Sequence, residues 1–276
     1  MIAPSATLFA PFLLWASAPG DSAYWGAEVD GALRDFDEGQ QVLQQQPDRA
    51  RQLFRSAARR LENVAAAVEN GYLEYNLGNC YLHAGDVGRA ILHYRRAQRF
   101  IPRDTLLADN LALARSRCLT QIQPARRQAV MRSLFFWHYR TSEAERAYAG
   151  VTSYVIAFGF LTAGALARRR WLAVAAAVSL AVALLAGGSV ATGRWSQRND
   201  PAAVITAMDV AVYKGPGPGY QRQFEQPLQP GVECVVQEQR DRWWRVELPD
   251  GNTGWIEAAS AELIDTQPNE RAVFLR

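Results

Sequence analysis

The sequence predicts a multidomain membrane protein in which an all-α domain is followed by a two-helix transmembrane hairpin and a small all-β barrel. Three observations lead to this fold class. Apolar residues recur with the helical period of about 3.6 residues in residues 24–120, and with the strand period of two in residues 202–265. Between these segments, residues 147–167 and 171–193 contain no charged residue. The chain of 276 residues has room for about two modest domains besides the hairpin.

The chain begins with a short apolar segment that is typical of an export signal. Residues 6–18 are largely apolar and end in Ala16-Ser17-Ala18, the small-x-small pattern found before a signal-peptidase cleavage site. The segment is shorter than a membrane-spanning helix. We therefore expect residues 1–23 to act as a signal peptide, which would place the following domain outside the cytoplasm.

Residues 70–104 carry the spaced residues of a helical hairpin. They are Leu77, Gly78, Tyr81, Ala90, Tyr94, Ala97 and Pro102. The leucine and the first tyrosine lie one turn apart on a first predicted helix, and Ala90, Tyr94 and Ala97 form an i, i+4, i+7 stripe on a second. The small residues fall where two antiparallel helices cross, and the proline ends the second helix. This pattern resembles the tetratricopeptide repeat, with Glu74 where that repeat favours tryptophan.

Weaker copies flank this repeat and predict a short all-α tetratricopeptide solenoid. Upstream, Gly39, Ala50, Phe54 and Ala57 align with the corresponding positions, and residues 105–117 resemble the first half of a third repeat. About three repeats are needed to bury a continuous core. We therefore expect a marginal solenoid that depends on its capping helix, the linker or a partner.

The tetratricopeptide resemblance implies a peptide-binding groove formed by the first helix of each repeat. It would place five side chains on the concave face: Tyr72, Tyr75, Asn79, Leu82 and His83. The alternative for each of them is packing within the repeat or a solvated surface. Cys80 is expected in the core, and His83 and His93 are expected near the surface.

Residues 147–167 and 171–193 are each long enough to cross about 30 Å of hydrocarbon. Only three arginines, residues 168–170, separate them, so the helices must turn back at once and leave both flanks of the chain on one side. Short arginine-rich loops stay in the cytoplasm. We therefore predict an inner-membrane, multi-pass protein with both soluble domains in the periplasm. The alternative is a pair of buried core helices in a soluble protein, and the absence of charge inside the spans favours anchoring over conduction. The small residues expected where the two helices approach closely are Gly159, Ala163 and Gly164 on the first and Gly187, Gly188 and Ser189 on the second.

Residues 121–146 connect the helical domain to the hairpin. The polar stretch around Pro124 is expected to act as a hinge. Residues 128–140 combine tryptophan and tyrosine with arginines, which predicts an interfacial helix at the membrane surface. Packing of this helix on the repeats is the alternative. Ser142 and Glu145 form a capping box that begins the first spanning helix.

Residues 202–265 contain short apolar-polar alternations separated by turns, one of them an Asp-Gly dipeptide. They predict five short strands in a small barrel, one of them around Val210 and Val212. The motifs at residues 212–217, Trp243, residues 248–251 and residues 253–256 resemble the bacterial SH3-like (SH3b) domain.

Alternation along the third predicted strand puts Trp244 and Val246 in the core and leaves Trp243 as the exposed aromatic residue. The side chains that are then expected to line a shallow peptide-binding surface are Tyr213, Tyr220 and Trp243. The resemblance to SH3-like domains implies such a surface, and half-buried packing of these residues is the alternative.

The sequence lacks the clusters that catalysis requires. We find no cysteine with a histidine and an orienting polar group, no histidine-carboxylate cluster, and no phosphate loop, since residues 215–219 lack a following lysine and helix. We expect no enzymatic activity, cofactor or metal site. Cys80, Cys118 and Cys234 are odd in number and far apart, which argues against a disulfide framework. The net charge is only +3 and acidic residues alternate with arginines, which argues against nucleic-acid binding.

The order of these segments resembles the BatE-type proteins of bacterial aerotolerance operons. The resemblance implies a membrane-anchored scaffold whose partners are von Willebrand A-domain membrane proteins and a MoxR-type AAA+ ATPase. Two alternatives remain: a cell-wall sensor that binds peptidoglycan stem peptides through the SH3-like domain, and a membrane enzyme whose catalytic residues the sequence does not reveal. Residues 266–276 are expected to form a tail.

Overall fold

The computed structural model of the chain describes residues 21–123 and 141–265. Most of the predicted signal peptide, the predicted interfacial helix and the predicted tail lie outside the described residues. The chain divides into two compact units. One unit contains the helical domain together with the β-domain, and the other, residues 126–200, contains the hairpin.

In the described residues, five helices precede the hairpin: α1 (Asp21–Val42), α2 (Pro47–Ala65), α3 (Gly71–Ala84), α4 (Val87–Phe100) and α5 (Thr105–Ser116). Each helix packs against the next one along the chain. Asn70, Asp86 and Asp104 each accept a hydrogen bond from an amide in the following first turn, and so begin α3, α4 and α5. Gly85 ends α3 in the left-handed conformation, at φ +83°.

The predicted repeat residues form the crossing of α3 and α4. The buried ones are Leu77, Tyr81, Ala90, Tyr94 and Ala97. A Cβ atom at Gly78 would lie 2.4 Å from the ring of Tyr94, so glycine is required for this close approach. In the first helix pair, a Cβ at Gly39 would likewise lie 2.8 Å from the ring of Phe54. These crossings agree with the aligned repeat positions, while membership of the tetratricopeptide family stays a prediction.

The second unit contains α6 (Glu143–Ala167) and α7 (Arg170–Asn199), joined at Arg168 and Arg169. Both helices are long and apolar enough to cross a membrane, by length and composition. The capping box of Ser142 and Glu145 is present and begins α6. At the open end of the hairpin, the Arg194 Nε donates to the Glu143 carboxylate at 2.6 Å. The beginning of α6 and the end of α7 therefore lie side by side.

The two hairpin helices meet along small side chains. A Cβ at Gly150 would lie 3.4 Å from the Cβ of Ala186, and one at Gly164 would lie 3.3 Å from the Cβ of Leu172. The sequence predicts Gly164 and Ser189 at the contact, and both lie there. It also predicts four residues that point away from the contact, namely Gly159, Ala163, Gly187 and Gly188. Those four predictions are wrong because the contact follows a seven-residue spacing that excludes them.

The β-domain is an antiparallel five-stranded sheet with the order β4-β3-β2-β1-β5. Its strands are β1 (Ala202–Ile205), β2 (Glu233–Arg240), β3 (Trp243–Glu247), β4 (Thr253–Glu257) and β5 (Ala261–Leu263). The predicted Asp-Gly turn joins β3 to β4, with Gly251 at φ +90°. The stretch predicted as a strand around Val210 and Val212 is not a strand of this sheet, although the next residue, Tyr213, forms an isolated bridge with Trp255 of β4. Val210 forms an isolated bridge with Leu228 instead, and both valines are buried in the domain core.

The helical domain and the β-domain share an interface formed by α4 with β1 and β5. Val204 and Ile264 of the β-domain are part of the helical core. A Cβ at Gly88, in the first turn of α4, would lie 2.9 Å from the carbonyl oxygen of Ile205. The buried Arg96 donates hydrogen bonds to the carbonyl oxygens of Leu263 and Ile264, at 2.7 Å and 3.2 Å.

Ion pairs surround this apolar contact. Helix α4 carries four arginines and no acidic residue. Glu233 of β2 lies 2.9 Å from Arg95 and 2.6 Å from Arg115, and Asp265 lies 2.6 Å from Arg99. The β-domain therefore covers the last helices of the marginal helical array. The sequence analysis left this support open between a capping helix, the linker and a partner, and the structure places a domain of the same chain there.

Candidate functional site

The five side chains predicted to line a groove all lie on α3. Tyr72 is 36% exposed, and His83 is half-buried, with its ring next to those of Phe36 and Phe54. The other three are buried: Tyr75, Asn79 and Leu82. The expectation that these three are exposed on a concave surface is therefore wrong, while peptide binding by this domain stays a prediction.

A hydrogen-bond network explains the burial of Tyr75 and Asn79. The Asn110 side-chain amide donates to the Tyr75 hydroxyl and to the Asn79 Oδ1, both at 2.9 Å. The Tyr94 hydroxyl donates to the same Oδ1 at 2.8 Å. The network joins α3 to α4 and α5, so these polar groups satisfy one another inside the core. Desolvation accordingly raises the pKa of the Tyr75 hydroxyl.

His93 is buried, which corrects the expectation that it lies near the surface. Its Nδ1 lies 2.7 Å from the carboxylate of Glu74, which is buried as well. The ring of Tyr81 stacks on the His93 ring with centroids 5.3 Å apart. Glu74 stands where the repeat favours tryptophan, and a buried carboxylate needs a polar partner. His93 supplies that partner from the facing helix.

The strands β2, β3 and β4 present one side of the sheet away from the domain core. Residues paired directly across strands lie on the same side. On this outer side, Trp243 pairs with Arg240 and Glu257, and Arg245 pairs with Glu238 and Trp255. The inner side carries Trp244 and Val246, which pack in the domain core. The alternation therefore agrees with the strand register inferred from the sequence.

Tyr213 completes an aromatic cluster on the outer side. Its backbone N–H and C=O exchange hydrogen bonds with Trp255, both at 2.8 Å. Its ring lies edge-on to the Trp243 ring, with centroids 5.7 Å apart and planes at 87°. The guanidinium carbon of Arg240 lies 5.4 Å from the centroid of the Trp255 ring. We call these four residues together with Arg245 the aromatic face.

The aromatic face differs in two residues from the predicted binding surface. Tyr220 is 54% exposed, but its ring covers Gly215, where a Cβ would lie 2.4 Å from the ring, and no ring contact joins it to the cluster within the described residues. Trp255 was not predicted, and it is buried, at 7% exposure. Trp243 and Tyr213 are half-buried, as the alternative interpretation of the sequence expects. The Asp-Gly turn contains the signal that reveals Trp255, because that turn sets the β3–β4 register and so puts Trp255 opposite Arg245, on the side of Trp243.

The bacterial SH3 domain family matches residues 207–261, a stretch that includes β2, β3, β4 and every member of the aromatic face. This match covers only the β-domain. No curated protein and no solved structure matches the chain. The family suggests binding of proteins or peptidoglycan.

Within residues 21–123 and 141–265, no group of three or more metal-ligating side chains lies close enough to hold a metal ion. The three cysteines are buried and free. Burial raises the pKa of the Cys234 thiol to about 12, so its nucleophilic thiolate is scarce at neutral pH. What the described chain offers at its surface is a combination of aromatic rings and guanidinium groups, which bind ligands by stacking and by charge.

Proposed function

We propose that the protein is a non-enzymatic adaptor, anchored in the bacterial inner membrane by α6 and α7, that recruits envelope proteins through its SH3 domain and its helical domain. The observation that carries the proposal is the aromatic face. It lies on the β4-β3 edge of the sheet, whereas the helical domain contacts the β1-β5 edge. Docking of the two domains therefore leaves the half-buried rings of Trp243 and Tyr213 and the exposed Arg245 on the solvent side.

The outer surface of the hairpin supports the membrane anchor. In the most apolar 18-residue stretch of each helix, only 6% of α6 and 17% of α7 is buried. Exposed apolar surfaces of this extent mark sites that another protein or a membrane covers. Tyr148 and Trp195 are exposed near the open end and Trp171 near the closed end, where aromatic residues mark membrane interfaces. Arginines at the closed end favour placing that end in the cytoplasm and both soluble domains in the periplasm.

We propose further that α1 to α5 form a tetratricopeptide module and that the chain serves a BatE-type aerotolerance or stress-related complex. The glycine and alanine crossings of the helix pairs support the module, and the order of the domains supports the complex. The partners would be von Willebrand A-domain membrane proteins and a MoxR-type AAA+ ATPase. Within such a module, Tyr72 is the predicted groove residue that is exposed.

A second candidate function is that of a cell-wall sensor. The bacterial SH3 family match favours it, because that family suggests peptidoglycan as well as protein ligands. In this case the aromatic face would bind stem peptides of peptidoglycan, and the hairpin would hold the sensor next to the wall.

Co-purification of the full chain from native membranes in a mild detergent tests the adaptor. We expect Trp243→Ala to lose proteins that the wild type retains, because the substitution removes the tryptophan ring of the aromatic face that solvent reaches. Tyr24→Ala is the matched control, since Tyr24 is an exposed aromatic residue of α1. An unchanged set of proteins after Trp243→Ala would contradict recruitment through this face. Retention of wild-type protein by purified peptidoglycan, lost in Trp243→Ala, would favour the sensor.

A further inference from the structure

We propose that the closed end of the hairpin binds the phosphate headgroup of an anionic phospholipid, with the guanidinium groups of Arg168, Arg169 and Arg170 binding the phosphate. This inference rests on the proposed membrane anchor. It adds the chemical class of lipid that the anchor selects and the end of the hairpin at which selection occurs.

Three positive charges are crowded at the turn between α6 and α7. Arg168 has the left-handed conformation, at φ +52°, and Arg170 begins α7, so the chain reverses within two residues. Consecutive Cα atoms are about 3.8 Å apart, which keeps the first and third arginines within roughly 8 Å of each other. All three are exposed, and among the described residues none of them takes part in an ion pair. Their mutual repulsion therefore favours binding of an anion from outside the hairpin.

The hairpin itself does not supply the balancing charge. Residues 146–199 contain no acidic residue, so the nearest carboxylates along α6 and α7 are those of Glu145 and Asp200, near the open end. At a rise of about 1.5 Å per residue, these carboxylates lie roughly 30 Å or more from the closed end. This distance is about three times the Debye length of ~10 Å at 0.1 M ionic strength. The positive charge of the closed end is therefore unbalanced within the hairpin.

Apolar side chains next to the arginines distinguish a lipid from a soluble anion. Leu166 is 88% exposed and Trp171 is 59% exposed, and each lies within two residues of an arginine of the turn. They continue the exposed apolar surface of α6 and α7 up to the turn. A phospholipid matches both parts, because its phosphate accepts paired hydrogen bonds from a guanidinium and its acyl chains cover apolar side chains. A tryptophan beside arginines is typical of the headgroup level of a bilayer.

Lipid retention by the full chain tests this selectivity. The protein is reconstituted in vesicles of equal parts phosphatidylglycerol and phosphatidylcholine and repurified in a neutral detergent, and the retained lipids are measured by mass spectrometry. We expect phosphatidylglycerol to exceed phosphatidylcholine about fivefold, as one arginine at an anionic lipid surface allows. The ratio should fall at high ionic strength, because exposed contacts are screened. Orientation in the vesicle does not affect the result, since both leaflets have the same composition.

Variants separate the contacts of the turn from a general effect of charge. Replacing residues 168–170 with glutamine should bring the ratio close to one, and replacing them with lysine should retain a large part of the preference. The matched control makes the same change of charge with glutamine on α2, where three arginines are exposed, namely Arg51, Arg55 and Arg59. This control should keep the wild-type ratio.

Equal retention of the two lipids by the wild type, or a preference that survives glutamine at residues 168–170, would overturn the lipid site and leave the membrane anchor standing. Loss of the preference in millimolar inorganic phosphate would show that the arginines bind a soluble anion, and would overturn the assignment to a lipid. Release of the wild type from native membranes by alkaline carbonate would contradict the anchor itself, and the inference would fail with it.

Discussion

Gly88 is a residue at which the backbones of the helical domain and the β-domain come close together. It stands in the first turn of α4, and a Cβ there would lie 2.9 Å from the carbonyl oxygen of Ile205 and 3.1 Å from the Cα of Thr206. Backbone atoms cannot move aside as a flexible side chain can. We therefore expect Gly88→Ala to destabilise the soluble unit by about 1–3 kcal/mol, the usual range for overpacking. Urea denaturation of the full chain in detergent measures the loss.

Gly26→Ala is the control for this substitution. Gly26 is a helical glycine of α1, and nothing lies within 4 Å of a Cβ placed on it. Alanine is there expected to stabilise by up to about 1 kcal/mol, because it costs less backbone entropy than glycine in a helix. A Gly88→Ala protein as stable as the wild type would show that the two domains separate in solution.

The neighbouring tryptophans of β3 are expected to differ in their effects. Trp244 packs on the domain core, whereas Trp243 contacts Tyr213 on the outer side. Trp244→Ala should therefore cost about 3 kcal/mol of unfolding free energy, the low end for a tryptophan because the side chain is only half-buried. Trp243→Ala should cost clearly less and should reduce ligand binding. A larger loss of stability for Trp243→Ala would mean that the aromatic face is a structural cluster.

Helix α4 is the element that holds the soluble unit together. It packs on α3 and α5 and also on β1, and its Arg96 covers carbonyl groups at and just beyond the end of the edge strand β5. Arg96→Ala removes both of these hydrogen bonds. We expect a destabilisation of about 1–3 kcal/mol from the loss of these two buried contacts. Hydrogen exchange in β1 and β5 should rise together with that in α4.

Arg59→Ala provides the comparison for Arg96→Ala, since Arg59 is an exposed arginine of α2. Its removal should stay within about 0.5 kcal/mol of the wild type. Faster exchange in β5 alone, with α4 unchanged, would contradict a shared cooperative unit.

The individual elements could largely be predicted from the sequence. Caps at Asn70, Asp86 and Asp104 and the breaker Gly85 are local signals, and the helices begin and end there. Local signals fail where the same apolar pattern fits two different structural environments. The valines near Val210 alternate as in a strand, yet they fill the domain core from a loop. Likewise, many small residues occur in both hairpin helices, and only the spacing of the actual contact selects among them.

The candidate site could be predicted in part. Alternation and the turn next to β4 identify Trp243 and exclude Trp244, since both rules are local. The burial of the predicted groove residues on α3 could not be predicted. The family pattern does not show that Asn110 of another helix donates hydrogen bonds to Tyr75 and Asn79. The docking of the domains had no signal either. Glu233 and Arg115 form an ion pair across more than a hundred residues, and each is an ordinary charged residue when considered alone.

At the scale of the whole molecule, the hairpin predicts the topology of the chain. Arg194 pairs with Glu143 at the open end, so the two flanks leave the hairpin at the same end. Reporter fusions after Gln123 and after Asp265 should be active only as periplasmic reporters, and a fusion between Arg168 and Arg169 only as a cytoplasmic one. Opposite behaviour of the two flanks would contradict a membrane hairpin. Replacing residues 168–170 with glutamine should weaken the orientation.

Docking of the β-domain on α4 also sets an order of events during synthesis. The ribosome completes α5 first, then both hairpin helices, and only afterwards the strands that cover α4. At roughly 5–20 residues per second, about 4 to 17 s pass between the end of α5 and the first of those strands. During this interval the apolar surface that later holds Val204 and Ile264 is open to proteases and chaperones. In the proposed membrane topology, delayed insertion of the hairpin would prolong this interval and so endanger the nascent helical domain.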